Sequence, residues 1–208
     1  MEDKKKPANY RRRKKPTQLR GKSTVEFIVE AARRIIVSDG YEAATTNHIA
    51  EVAGVSVGSL YQYFPNREAI VLALVEETVS SAANKVRKEL HSLMGDPLPE
   101  SMVNVIRMLL DTYQENEFIL LRLFNKIPNL REHARQLAVQ KFTRTTNLAF
   151  LQQHEHEITK KDLPTALLFI ENAVISNIDV FIEENPTGLS EDEFIDEMVS
   201  MVVNYLTK

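Results

Sequence analysis

Cysteine is absent from the 208 residues, so neither a disulfide nor thiol-based redox sensing is open to this chain. No sequence run approaches the roughly eighteen apolar residues that a membrane span requires, so no membrane partner is expected. The polar, lysine-rich beginning does not read as a secretory signal, and the expected location is the cytoplasm. Glycine-rich phosphate loops, dinucleotide fingerprints, zinc clusters and zinc-protease motifs are missing as well. The nearest approach to a metal motif is His154-Glu155-His156-Glu157. On a helix, residues two apart point about 200° apart and cannot close on one ion, so a solvated helix end is the plainer reading. His48, His91 and His133 stand alone. With no Ser/His/Asp order and no paired catalytic carboxylates to argue from, the expectation is a non-enzyme without cofactor or metal.

What is present is an uneven distribution of charge. Residues 1–22 hold ten Lys or Arg against Glu2 and Asp3, a balance of +8, while the other 186 residues carry sixteen basic against twenty-seven acidic, or −11. That start has no apolar periodicity and is expected to be a disordered basic arm following phosphates or entering a minor groove, a solubilising tail being the alternative. Residues 23–67 offer only Arg33, Arg34 and Arg67 against five carboxylates, so attraction to phosphate falls largely to the arm.

Residues 45–65 organise the chain. Thr45 or Thr46 is placed to cap a short helix whose apolar face is Ile49, Val52 and Ala53. Gly54 tolerates the left-handed backbone of a helix exit, and Val55 plugs the gap. Ser56 is placed to cap a second helix, in which Val57, Leu60 and Phe64 share one buried face at i, i+3 and i+7. Gly58, Ser59, Gln62 and Tyr63 are left facing outward, hydrogen-bonding or small and uncharged. Gln62 suits adenine, Ser59 a base or phosphate, Gly58 a close backbone approach, and the hydroxyls of Tyr61 and Tyr63 suit phosphate oxygens. Such a shape presents one helix to a DNA groove, although two short helices joined by glycine also occur in ordinary bundles.

The residues themselves carry a resemblance. Thr46, Ile49-Ala50, Ala53-Gly54-Val55-Ser56, Gly58-Ser59-Leu60-Tyr61-Gln62-Tyr63-Phe64 and Asn66-Arg67-Glu68 closely resemble the tetracycline-repressor (TetR) family of bacterial transcriptional regulators. The likeness extends upstream through Ile28-Val29-Glu30-Ala31-Ala32 and Asp39-Gly40-Tyr41, covering roughly residues 24–75. Ile36 stands where the family usually has phenylalanine and Arg67 where it usually has lysine, both tolerable exchanges. The resemblance implies DNA contacts at Thr46, Asn47, Val57, Gly58, Ser59, Tyr61, Gln62, Tyr63 and Arg67. For Val57, periodicity and resemblance disagree, and a thymine-methyl contact is the residual reading.

Before this stretch, Ser23-Thr24-Val25-Glu26 fits a capping box opening a helix with Val25, Ile28, Ala32, Ile35 and Ile36 inward, stopped at Asp39-Gly40. Afterwards Pro65 breaks the recognition helix and Asn66 is placed to cap a long helix from Arg67 to about residue 93. Arg67 and that helix N-terminus together read as a phosphate site. After the break at residues 94–99, helices are read near 99–115, 117–126, 130–154, 163–184 and 190–206, the last opening with Ser190 and Glu193. The fold expected is all-α, about nine helices in all: a basic arm (1–22), a three-helix helix-turn-helix DNA-binding module (23–70) and a helical ligand-binding and dimerisation domain (71–208).

The last two helices are apolar over more of their circumference than one core requires, which suggests a dimer, a thick monomeric bundle being the alternative. The resemblance implies that they form a four-helix interface, with Ile178, Phe181, Phe194, Met198, Met201, Val202 and Tyr205 as candidates, and a homodimer predicts a palindromic operator in double-stranded DNA. It also implies a small-molecule effector inside the helical domain that changes the separation of the DNA modules. Met102, Ile106, Leu109, Tyr113, Phe118, Leu121, Phe124, Phe142, Phe150, Phe169 and Asn172 are the candidate lining, suited to a hydrophobic or aromatic ligand; plain core is their alternative role. The function expected is a ligand-released repressor, the alternative being a DNA-binding regulator that answers to a protein partner.

Overall fold

The computed structural model describes residues 19–93, 95–125, 127, 130 and 144–208, and every regular element among them is helical. The α-helices are α1 (Leu19–Asp39), α2 (Thr46–Val52), α3 (Val57–Tyr63), α4 (Arg67–Ser92), α5 (Leu98–Glu115), α6 (Glu117–Leu120), α7 (Arg144–Gln153), α8 (Leu163–Glu183) and α9 (Glu191–Thr207). Single 3-10 turns lie at Tyr41–Ala43 and Arg122–Asn125. Residues 1–18 of the expected arm, and most of the segment expected as helix between 130 and 154, lie outside the described residues. The chain divides into two compact units, one of residues 1–77 and 123–130, the other of residues 78–122 and 131–208. The division falls at 77/78, inside α4, where the sequence pattern suggested 70/71.

In the first unit α1 buries Val25, Ile28, Val29, Ala32, Ile35 and Ile36 along one stripe, the spacing that turns one face of a helix inward. It begins at Leu19, upstream of the expected Ser23 cap. Pro16 is the nearest upstream breaker, and Gly21 inside the helix costs only about 1 kcal/mol, so the local capping pattern does not fix the start. Gly40 ends α1 with φ 86° and ψ 170°, a backbone region essentially closed to other residues. Thr45 Oγ1 then caps α2 by accepting from His48 N–H at 3.2 Å. At its other end Gly54, with φ 66°, donates to Glu51 O, while Val55 N–H donates to Ala50 O at 3.0 Å. This pair of bonds satisfies carbonyls that α2 would leave open and reverses the chain.

Ser56 opens α3, accepting from Ser59 N–H at 3.1 Å. Leu60 and Phe64 are fully buried. Two expected core valines are not. Val52 is 44% exposed, because at about 100° per residue it lies some 110° from the centre of the face set by Ile49 and Ala50. Val57 is 36% exposed; it is the first residue of α3, and helical side chains tilt toward the N-terminus, carrying this one past the helix end. Asn66 Oδ1 caps α4 by accepting from Ala69 N–H at 2.9 Å, and residues 69–75 are buried around the whole circumference.

The second unit has one hydrophobic core drawn from the end of α4, α5, α7, α8 and α9, with Leu98, Leu110, Ile178 and Leu206 wholly inaccessible. α5 packs along α9, and Arg107 to Asp192 at 2.8 Å and Gln114 to Glu191 at 2.7 Å tie their exposed edges. α9 opens with the full reciprocal box: Glu193 N–H to Ser190 Oγ, and Ser190 N–H to the Glu193 carboxylate at 2.8 Å. The His154–Glu157 segment is not the solvated helix end that its sequence suggests. His154 is buried between Phe150 O at 3.0 Å and Asp96 O at 2.9 Å, while His156 is exposed. α8 is long and apolar enough to cross a bilayer by length and composition, although Glu171 and Asp179 interrupt it and no sequence run had reached that threshold. A core helix passes the same test, and α8 buries Leu163, Ala166, Leu167, Val174 and Ile178 in this unit.

Candidate nucleic-acid interface

Residues 46–63 carry one formal charge, Glu51. Asn47, Val57, Gly58, Tyr61 and Gln62 are exposed, and Thr46, Ser59 and Tyr63 half-buried, so the expected DNA-contacting residues of α2 and α3 share the accessible surface of this unit. Their hydroxyls are already organised. Ser56 Oγ donates to Ser59 Oγ at 3.0 Å, which leaves the Ser59 proton available to an outside acceptor. Thr46 Oγ1 and Tyr61 Oη are 3.1 Å apart, a tie between α2 and α3 across fifteen positions that no sequence pattern announces.

Gly58 has ordinary helical backbone, and a Cβ there would meet nothing nearer than Ser56 Oγ at 3.9 Å. Glycine in a helix costs about 1 kcal/mol against alanine, and nothing inside the chain requires it. A surface of this kind, whose one formal charge is the acidic Glu51, is suited to donor and acceptor patterns and does not supply long-range attraction to phosphate.

Arg67 departs from the picture of an outward cation. Its guanidinium lies 4.0 Å from the centroid of the Tyr41 ring, and its Nη1 donates to Tyr41 O at 3.4 Å and to the Glu42 carboxylate at 3.5 Å. Its Nε is 4.0 Å from the Glu68 carboxylate, and the side chain is 25% exposed. Burial pushes the Tyr41 phenol above its ordinary value, with the guanidinium acting against that rise. No sequence pattern marks Tyr41 as the platform for Arg67, since 26 positions separate them.

The second unit disperses the other expected sites. Met102, Ile106, Phe150 and Leu121 are buried, and the first three belong to the main core, with Leu109 and Tyr113 packed at its edge. Phe169 is 62% exposed, and Asn172 is exposed with its amide donating to Leu168 O at 2.7 Å; both lie on the side of α8 away from the core face. Phe142 lies outside the described residues, as do the side chains of Phe118 and Phe124. A surface cleft of about 730 Å³ is lined by Gly95, Asp96, Pro97, Gln153, His154, His156 and Glu157, none of them an expected pocket residue.

Of the expected dimer residues, Ile178, Phe194, Met198 and Val202 are buried by the chain's own core. Phe181 stacks on Phe194 at 4.2 Å. The reason is α5, which takes the face of α9 that had been assigned to a partner. Met201 is half-buried and Tyr205 is 37% exposed. The apolar residues left in the open on α8 are Leu168, Phe169 and Val180. A helix wheel apolar all round does not say which side its own core will take.

The chain resembles proteins of known kind. The repressor AcnR of Corynebacterium glutamicum is 29% identical over 109 residues, 52% of this chain and 50% of that protein. The chain spans about half the length, or less, of the first curated relatives it matches. FadR of Thermus thermophilus, a TetR-family transcriptional repressor solved with lauroyl-CoA, is 20% identical with TM-score 0.64, covering 86% of this chain and 93% of that one. RolR, solved with resorcinol, is 20% identical with TM-score 0.63, covering 90% and 89%. At these identities the two structures share the fold. The family model for bacterial regulatory proteins of the tetR family matches residues 28–74, and that for the tetracyclin repressor-like C-terminal domain matches residues 97–206. A helix-turn-helix matching the family's DNA-binding domain, followed by a helical domain matching its C-terminal one, places the chain in the TetR family of DNA-binding transcriptional regulators.

Proposed function

We propose that this protein is a homodimeric repressor in the cytoplasm that reads a palindromic operator and is released when a small hydrophobic or aromatic molecule binds its helical domain. The observation that carries the reading is the outward surface of α2 and α3, where Thr46, Asn47, Gly58, Ser59, Tyr61, Gln62 and Tyr63 offer hydrogen-bonding groups without charge. Such a set suits base edges and phosphate oxygens in a major groove, with Val57 available to a thymine methyl.

Support for pairing comes from α8. Leu168, Phe169 and Val180 are exposed apolar side chains on α8, which a second copy of the same helix covers under twofold symmetry. Two recognition helices held that way match half-sites one or more helical turns apart. For the effector, the lauroyl chain and the resorcinol ring carried by FadR and RolR favour an apolar ligand, which acts by preferring the conformation that no longer fits successive grooves. Selection of duplexes from a random pool, followed by gel shifts with acyl-CoA and phenolic compounds, tests the reading. Enrichment of an inverted repeat and its release by one ligand class are expected; unselective binding, or sedimentation as a single subunit, counts against it.

A further inference from the structure

We infer that Arg67 serves DNA binding as a positioning residue acting through Tyr41, and not as a cation laid on a phosphate; the inference rests on the DNA-binding reading above. Its charge is already spent inside the unit. The guanidinium carbon lies over the Tyr41 ring, 4.0 Å from its centroid, with the carboxylates of Glu42 at 3.5 Å and Glu68 at 4.0 Å. A cation held between two carboxylates projects little net field outward, and reaching a phosphate would break the stack and both pairs.

What Arg67 holds is the entry to α2. Tyr41 O accepts from Arg67 Nη1 at 3.4 Å and from Ala44 N–H at 3.2 Å. The end of that turn, Ala43 O, accepts from Thr45 N–H at 2.8 Å and lies 3.1 Å from His48 Nδ1. Thr45 caps α2, and Thr46, its first residue, is bonded to Tyr61 of α3 at 3.1 Å. One guanidinium thus fixes the turn from which the α2–α3 surface starts. Lysine has neither the planar face to stack on Tyr41 nor the fork to reach a carbonyl and a carboxylate together.

The full-length chain and its selected duplex, titrated by fluorescence anisotropy over a range of potassium chloride, provide the test. Arg67→Met, Arg67→Lys, Tyr41→Leu and the Arg67→Met/Tyr41→Leu pair are compared with wild type. Each single variant is expected to bind about tenfold more weakly, with the slope of log affinity against log salt unchanged. The pair should be no weaker than Arg67→Met, which already removes the ring contact that Tyr41→Leu removes. A slope shallower by about one in Arg67→Met, with full recovery in Arg67→Lys, overturns the inference, since that is the signature of a lost phosphate contact. If Arg67→Met fails to fold, Arg67→Lys decides: wild-type affinity overturns the inference, and weakened affinity at an unchanged slope supports it. Wild-type protein that binds no duplex overturns the DNA-binding reading and the inference with it, whereas the slope change in a wild type that binds overturns the inference alone.

Discussion

Gly58 sits in the second position of α3 with ordinary helical backbone and room for a methyl group. Gly58→Ala is therefore expected to raise unfolding free energy by about 0.4–1 kcal/mol in denaturant titrations, while weakening operator binding in anisotropy titrations if, as proposed, the duplex approaches α3 at this position. Gly40 is the opposite case: at φ 86° and ψ 170°, Gly40→Ala is expected to cost about 1–3 kcal/mol of stability in the same titration. Gln62→Ala belongs to neither class. It should leave stability unchanged and flatten discrimination among operator variants at one base pair by about 1–3 kcal/mol; undiminished discrimination would mean α3 is presented in another orientation. The stop at Gly40 and the exposure of Gly58 and Gln62 were legible because they are set locally. The tie between Thr46 and Tyr61 and the seat of Arg67 on Tyr41 were not, since they join positions 15 and 26 apart, where only the folded chain brings them together.

Among the helices, starts marked by a side-chain oxygen at the right offset were readable, as at Thr45, Ser56, Asn66 and Ser190, because a cap is an interaction within four residues. Ser23 shows the limit: a capping pattern does not stop a helix that nothing upstream breaks. The α9 box also sets a pH dependence. Bonds from the Ser190 N–H and hydroxyl hold the Glu193 carboxyl below its ordinary value of 4.5. Its folded value being the lower one, this contribution is complete above the ordinary value and is lost as pH falls through the depressed one. Melting temperature should drop more steeply on acidification across that range in wild type than in Glu193→Gln. Which face of α8 or α9 is covered was beyond the pattern, because a wheel apolar all round leaves the choice to tertiary packing, and α5 made it.

At the scale of the molecule, the charge imbalance and the two-part organisation were visible in sequence, whereas the surface offered to a partner was not. Phe169, expected in a pocket, and Leu168 and Val180, not singled out, are the exposed apolar residues of α8. Phe169→Asp is expected to shift the proposed dimer toward monomer in sedimentation velocity and to weaken operator binding with it, while the melting temperature of the monomer holds, because the side chain supports no core of its own. Deleting residues 1–18 is expected to lower the salt slope of binding and leave base preference intact, since most of the +8 of residues 1–22 lies there and none of the α3 surface does. An unchanged slope would return the arm to a solubilising role.

On the proposed reading, the lack of formal charge on the exposed side of α3 bears on life inside a bacterium whose internal potassium rises and falls with osmotic stress. Phosphate neutralisation weakens as the ion concentration climbs, for chromosome and operator alike. Amide and hydroxyl contacts to base edges release no counterions, so the preference they create for one site over the rest stays level while total occupancy sinks. A cell in drought would then find fewer of these repressors on its DNA, each still at the right address.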